Sequence, residues 1–429
     1  MGSWTEHVVW WHVYPLGFLG AEQTARTAAE SEHRLPVLVD WLDYLVQLGA
    51  NGLALGPVFA SETHGYDTVD HLRIDPRLGD DADMDALFAA ARSRGVRVLL
   101  DGVFNHVGRS HPRFRAALEH GRESAEGAWF RWDDRGEPVA FEGHGALVTL
   151  NHDNPEVADH VADVMIHWLD RGASGWRLDA AYAVPPEFWR RVLPRVRERH
   201  PDAWFLGEMI HGDYADYVER SGLDSVTQYE LWKSMWSSLR DGNLFELEWT
   251  LRRHAELLPR FLPYTFVGNH DVTRIASTLP PDALTAAIAL LFVLPGIPSV
   301  YYGDERGMRG VKEDRAGGDD AVRPAYPAGP DALPADGEPL LDVHRRLIGL
   351  RRRHPWLTRA DVRVEDLANE SATIVATEPG GPGRVVLVLN LGSVAVRASR
   401  AGGLRVDVSS TGGDIGSTVP ARSWAVYTG

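Results

Sequence analysis

Cysteine is absent from this chain of 429 residues. That excludes disulfides, thiolate metal ligands and a cysteine nucleophile, and leaves the compartment open. No apolar run approaches the roughly 18 residues a membrane-spanning helix needs. The longest, Ala286 to Pro298, is broken by Pro295 and Gly296. The opening stretch MGSWTEHVVWWHVYP has no basic segment followed by an apolar one, so no signal peptide is expected. Positive charge is scarce: 44 Lys and Arg stand against 60 Asp and Glu, a formal net charge of −16. Nucleic acid and anionic membrane are therefore poor partners, whereas a neutral sugar is not repelled. Zinc-helix spacing is missing too, since neither His7/His12 nor His106/His111 has it. The expectation is a cytoplasmic protein with a small-molecule substrate, no cofactor and no metal. Nothing sets its oligomeric state.

What is present is alternation. Short apolar runs rich in β-formers are followed by longer amphipathic stretches, the pattern of a parallel sheet covered by helices. Eight runs read as strands: Val8 to Tyr14, Gly52 to Leu55, Val96 to Phe104, Gly175 to Asp179, Trp204 to Glu208, Ser225 to Tyr229, Tyr264 to Asn269 and Ser299 to Tyr302. Helical spacing marks Leu35 to Leu48, Met84 to Arg94, Pro155 to Asp170, Glu187 to Arg199 and Leu340 to Arg353. Eight such units predict an α/β fold, a (β/α)₈ barrel. The barrel is assigned residues 1–106 and 155–355. Residues 107–154 lack a clean period and read as a short subdomain inserted after the third strand. From residue 356 onward, Gly-rich turns separate short strands such as Ala372 to Ala376, Arg384 to Asn390 and Ser423 to Tyr427. Residues 356–429 therefore read as a C-terminal all-β domain, expected to be a β-sandwich.

Barrel active sites lie at the C-terminal strand ends. Strand three closes on Asp101-Gly-Val-Phe-Asn105-His106, strand four on Arg177-Leu-Asp179, strand five on Gly207-Glu208 and strand seven on Asn269-His270-Asp271. Asp179, Glu208 and Asp271 are thus predicted to meet on one rim, with Arg177, His106 and His270. Burying three carboxylates together is costly unless they are paired or used. Glycosidic cleavage uses them: one protonates the departing oxygen and another meets the charge growing at the anomeric carbon. Arg177, two residues before Asp179, lies on the same strand face and can keep it ionised as a nucleophile. Glu208, crowded by negative groups, is the candidate acid.

The motifs DGVFNH (101–106), GWRLDAA (175–181), GEM (207–209) and FVGNHD (266–271) occur in that order. With HGYDTVDHLRIDPRLG (64–79), TLNHDNPEV (149–157) and GIPSVYYGDE (296–305), the chain resembles the α-amylase family, glycoside hydrolase family 13. The resemblance implies a retaining glycosidase with Asp179 as nucleophile, Glu208 as acid/base and Asp271 as transition-state stabiliser. It implies that Arg177, His106, His270 and Tyr66 hold the reacting sugar, Tyr66 as a stacking platform. Arg323, in DDAVRPAYP, resembles a further sugar contact. The implied function is hydrolysis of α-glucosidic bonds in small gluco-oligosaccharides. The alternative is glucosyl transfer to another sugar or to phosphate, or isomerisation, on the same scaffold.

One departure stands out. Where many starch-degrading members carry Lys-His, this chain has Tyr182-Ala183, which weakens the expectation of calcium and of starch. The acidic cluster Asp80-Asp81-Ala82-Asp83 precedes a helix and reads as a cap before it reads as an ion site. Trp129, Phe130, Trp132, Tyr182, Trp232 and Trp236 are equally readable as sugar platforms or packed aromatics, Trp232 and Trp236 being four apart on one helical face.

Overall fold

The computed structural model describes residues 4–25, 31–315 and 317–429; the first three residues of the opening stretch lie outside it. Eight parallel strands form one sheet: β1 (Trp10–Val13), β2 (Gly52–Leu55), β3 (Arg97–Gly102), β4 (Gly175–Leu178), β5 (Trp204–Gly207), β6 (Ser225–Val226), β7 (Tyr264–Phe266) and β8 (Ile297–Tyr301). Neighbours run β6-β5-β4-β3-β2-β1-β8-β7. The two ends meet through a single parallel bridge, Thr227 to Tyr264, so the sheet closes on itself. At that seam Gln228 N–H donates to Tyr264 O at 2.9 Å and the Ser225 hydroxyl to Leu262 O at 2.6 Å.

The strands are buried on both faces, as a sheet between two apolar layers must be. Inward-facing Trp10, Ala54, Leu99, Trp204, Leu206, Tyr264 and Phe266 fill the barrel. Trp10 and Trp204 stack there at 5.7 Å. Outward-facing residues such as Trp11, Leu53, Leu100 and Trp176 join the core beneath the helices.

Helices stand where the spacing places them: Leu35–Leu48, Asp81–Ser93, Pro155–Arg171, Pro186–Arg199 and Glu338–Arg353. The second begins three residues ahead of the expected start because Asp80 caps it, in a reciprocal capping box with Asp83. Among the longer helices of the described residues, Tyr214–Ser221, Tyr229–Asp241, Leu244–Leu257 and Pro281–Val293 were not expected. The expected strand Ser225 to Tyr229 keeps only its first two residues. Gln228 ends it by accepting from Leu231 N–H, which caps the helix starting at Tyr229. The long apolar run divides into the end of helix Pro281–Val293 and the start of β8. Among the described residues no helix is long and apolar enough to cross a membrane.

After β3 the chain forms a small hairpin, His106–Gly108 with Leu147–Thr149, enclosing helix Pro112–His120. The C-terminal part is a five-stranded antiparallel sheet: β9 (Asp361–Glu365), β10 (Ser371–Thr377), β11 (Arg384–Asn390), β12 (Arg405–Ser409) and β13 (Ser423–Thr428), ordered β9-β10-β11-β13-β12. One face, with Ile374, Leu387 and Trp424, merges with the barrel core. The Trp424 indole donates to Thr285 Oγ1 at 3.0 Å across that contact. The other face, with Val386, Val388 and Tyr427, is covered by a two-stranded antiparallel ribbon, Val396–Arg397 with Thr418–Val419.

Candidate active site

The register of the parallel strands decides which side chains meet. Asp101 pairs with Arg177 across β3 and β4, and Leu178 pairs with Gly207 across β4 and β5. One step further along, Asp179 faces Glu208 on adjacent strands, whose spacing is about 4.8 Å. The chain then turns sharply, with Ala180 left-handed at φ 46°. The turn aims the Ala180 N–H at Glu208 Oε2, 2.9 Å away.

Arg177 is the hub. Its Nη1 donates to Asp101 at 2.8 and 2.9 Å and to Asp179 Oδ1 at 3.0 Å. Its Nη2 lies 2.7 Å from Glu208 Oε1. One guanidinium thus faces three buried carboxyls and cannot neutralise all of them. Burial accordingly raises Asp179 well above the usual carboxylate range, and raises Glu208, against the pull of Arg177. Burial likewise pushes Asp101 up to about 6. The group holds protons more tightly than free carboxylates do.

Asp271 sits apart with its own partners. Its Oδ1 accepts from Arg323 Nη2 at 2.8 Å, and its Oδ2 lies 3.0 Å from His270 Nε2. Burial would raise this carboxyl, but His270, Arg323 and Arg177 outweigh it and hold Asp271 well below the usual range. The His270 ring is stacked between Tyr14 and Tyr66, at 5.7 and 5.6 Å; burial lowers its pKa, and Asp271 beside it pulls the other way. The Tyr66 hydroxyl reaches both His270 and Asp101. His106 Nε2 lies 3.9 Å from Asp179 Oδ2, and the ring packs against Phe141 at 4.7 Å. Beneath the loop, fully buried Arg274 donates to Asp304 Oδ1, Tyr302 O and Val322 O at 2.9 to 3.0 Å. This ties the segment after Asp271 to the residue before Arg323. Burial pushes Asp304 up to about 7.

A family model described as "Alpha amylase, catalytic domain" matches residues 25–332. The chain belongs to the α-amylase family. It is 31% identical over 392 residues to neopullulanase 2 of Thermoactinomyces vulgaris, covering 84% of this chain and 65% of that protein. It is 29% identical over 339 residues to the intracellular maltogenic amylase of Bacillus subtilis, covering 72% of this chain and 57% of that one. The chain therefore spans less than two thirds of either relative. Among solved structures it is similar to the cyclic α-maltosyl-(1→6)-maltose hydrolase of Arthrobacter globiformis in complex with maltose. That match has a TM-score of 0.84 at 27% identity and covers all of both chains.

Within this α-amylase-family fold, all eight residues singled out in the sequence are joined in one network of contacts. Arg323, the loosest of the motif matches, binds Asp271 directly. Asp101 and Tyr14 also belong to this site, although neither is among the eight residues singled out in the sequence. Asp101 was visible as the acid that opens DGVFNH at the end of strand three, and Tyr14 gave no signal beyond its strand end. Tyr182 donates its hydroxyl to Glu142 at 2.8 Å and packs 5.3 Å from His211, joining the inserted segment to the β5 loop. Trp129 and Phe130 are buried packing residues, while Trp232 and Trp236 remain half-buried. Among the described residues, one group of possible metal ligands has its donor atoms within 4.8 Å of each other: His33, Asp80 and Asp83. Asp80 and Asp83 are spent on the helix cap, and the group lies outside the cleft.

Proposed function

We propose that this protein hydrolyses α-glucosidic bonds in small gluco-oligosaccharides with retention, Asp179 attacking the anomeric carbon and Glu208 supplying and then removing the proton. The observation that carries this is the single guanidinium of Arg177 set between Asp179 and Glu208 on adjacent strands. Retaining glycosidases need two carboxyls about 5–5.5 Å apart, whereas inverting enzymes hold them about 6.5–9.5 Å apart to admit a water. Neighbouring strands favour the shorter spacing. Burial that exceeds the compensation from one guanidinium leaves a proton in the cluster; the proposed steps need that proton on Glu208, with Asp179, held by Arg177 Nη1, ionised for attack. The strongly ionised Asp271 answers the positive charge that develops on the sugar.

Arg177, His106, His270, Tyr66 and Arg323 hold the sugar at this centre. His106 Nε2, buried without a hydrogen-bond partner among the described residues and 3.9 Å from Asp179 Oδ2, offers a polar atom for a hydroxyl there. We assign residues 1–106 and 155–355 to the barrel, 107–154 to the inserted subdomain and 356–429 to a C-terminal β-sandwich. The maltose-bound structural relative supports an oligosaccharide of a few glucosyl units, and the relative named intracellular supports action in the cytoplasm. No cofactor or metal takes part in the proposed steps.

The test is a leaving-group comparison. Glu208→Gln is expected to slow maltotriose by about 10²–10⁴-fold and an activated aryl α-glucoside far less, because the aryl group departs without a proton. Equal losses on both would remove Glu208 from the acid role. Proton NMR of the first product should show the α anomer.

A further inference from the structure

Beneath the carboxylates the barrel is nearly filled: the space lined by His12, Arg177, Glu208 and Tyr229 amounts to about 30 Å³. A groove of about 750 Å³ instead opens beside them and reaches Asp271, running between the helix carrying Trp232 and Trp236 and the segment around Val311. That volume lies within the range that encloses small ligands, about 300–1,000 Å³. Asp271 is the one of the three carboxylates that lines it, and its side chain is 29% exposed against 9% for Asp179 and 8% for Glu208.

The wall is a pair of indoles backed by a buried ring. Phe266 of β7 stacks on Trp232 at 6.3 Å and 22°. Trp232 meets Trp236 at 5.9 Å, and the Arg240 guanidinium lies 4.7 Å from the Trp236 ring. Both indoles stay half-buried, although a helix four residues apart on its inner face would ordinarily hide them. Opposite, Val311 is 54% exposed, a large apolar side chain left in water. Between them stand Thr273, Ser277 and Thr278 hydroxyls and charges of both signs, Arg240 and Lys312 against Asp271, Glu313 and Asp314. Flat rings, an exposed aliphatic edge, hydroxyls and charges of mixed sign suit a neutral ring with an apolar face and a polar rim, which describes a pyranose. A peptide or nucleotide would meet no dominant charge here.

We propose that this groove is a sugar subsite that seats one or more glucosyl units linked to the one at Asp271, with Trp232 as its stacking platform and Val311 as its outer lip. The assignment rests on the glucosidase reading above and adds to it where the rest of the substrate lies. Trp232 thereby sets chain-length preference, not chemistry.

Binding separates the two. In the full-length Glu208→Gln protein, maltotetraose affinity is measured by titration calorimetry, then repeated with Trp232→Ala, Trp232→Phe and Val311→Asp added. Trp232→Ala is expected to weaken binding about tenfold, as loss of a central aromatic contact does, with Phe restoring most of it. Val311→Asp, on a surface residue whose change leaves the core intact, is expected to weaken it several-fold. In the chain with Glu208 intact, kcat/KM for a small aryl α-glucoside, which occupies the centre alone, should stay within about twofold in all three variants. Maltotetraose bound equally by all the variants would overturn the subsite and leave the glucosidase reading standing, and equal losses on both ligands would reduce Trp232 to a packing residue and overturn it too. Failure of the Glu208→Gln protein to bind maltotetraose at all would overturn both.

Discussion

Ala180 is a small residue in a costly place. Left-handed backbone costs a non-glycine residue roughly 1–2 kcal/mol, yet here it is what brings an N–H onto Glu208 Oε2 just after Asp179. Strain held by its surroundings at a reactive group is a feature of functional sites. Ala180→Gly is expected to keep activity and raise stability by about 1 kcal/mol in chemical denaturation, whereas Ala180→Val should destabilise by more than that. A Gly variant less stable than the parent would show that Ala180's methyl packing matters more than its backbone. Asp304 carries a pH signature. Its carboxyl is pushed up to about 7 by burial, so between pH ~4 and ~7 the folded chain keeps a proton that the unfolded chain has released. Its stabilising contribution is complete below about pH 4 and is lost as pH rises through 7. Asp304→Asn removes that dependence. The stability of the variant relative to the parent should therefore climb with pH across this window, on the order of a few kcal/mol, and a flat difference from pH 4 to 8 would contradict the shift. Strand-end acids such as Asp179, Glu208 and Asp271 were legible because charge is rare at the end of a buried run. Tyr14, Asp304 and Arg274 were not, because their partners lie far away in the chain.

At the level of elements, the acidic run before helix Asp81–Ser93 shows what local chemistry can settle. Asp80 accepts from Ala82 and Asp83 N–H groups, and Asp83 reaches back to Asp80 N–H. Asp80→Ala should cost about 1 kcal/mol, while EDTA should leave both the melting temperature and the activity of the parent unchanged. A calcium-dependent rise in melting temperature, lost in Asp80→Ala, would turn the cap into an ion site. The helices that escaped the sequence reading escaped for a physical reason. β6 has two residues and runs straight into the helix that Gln228 caps, so strand and helix periods overlap within one turn. Helix Pro281–Val293 is buried almost all round and shows little one-sided apolar stripe to read. Alternation of strands and amphipathic helices elsewhere was enough to give the barrel, since both periods are properties of the backbone.

For the molecule as a whole, that buried helix explains why the C-terminal sheet is there. Its residues pack against β11 and β13, whose Leu387, Trp424 and Val426 share the barrel's core. Removing residues 361–429 uncovers an apolar helix, and the shortened chain is expected to bind ANS and aggregate in light scattering; a monomer that melts like the parent would show the two parts to be independent. The ring of strands also has an unequal circumference. Most neighbouring strands are joined over three or more residue pairs, but β6 has two to β5 and meets β7 across the lone Thr227–Tyr264 bridge. A hoop with one weak joint behaves as a split collar. Its arc from β1 to β4 carries Arg177 and Asp179 on continuous pairing, while the joint falls between the strands that lead into Trp232 and Asp271, on the side of the groove proposed for the rest of the sugar chain.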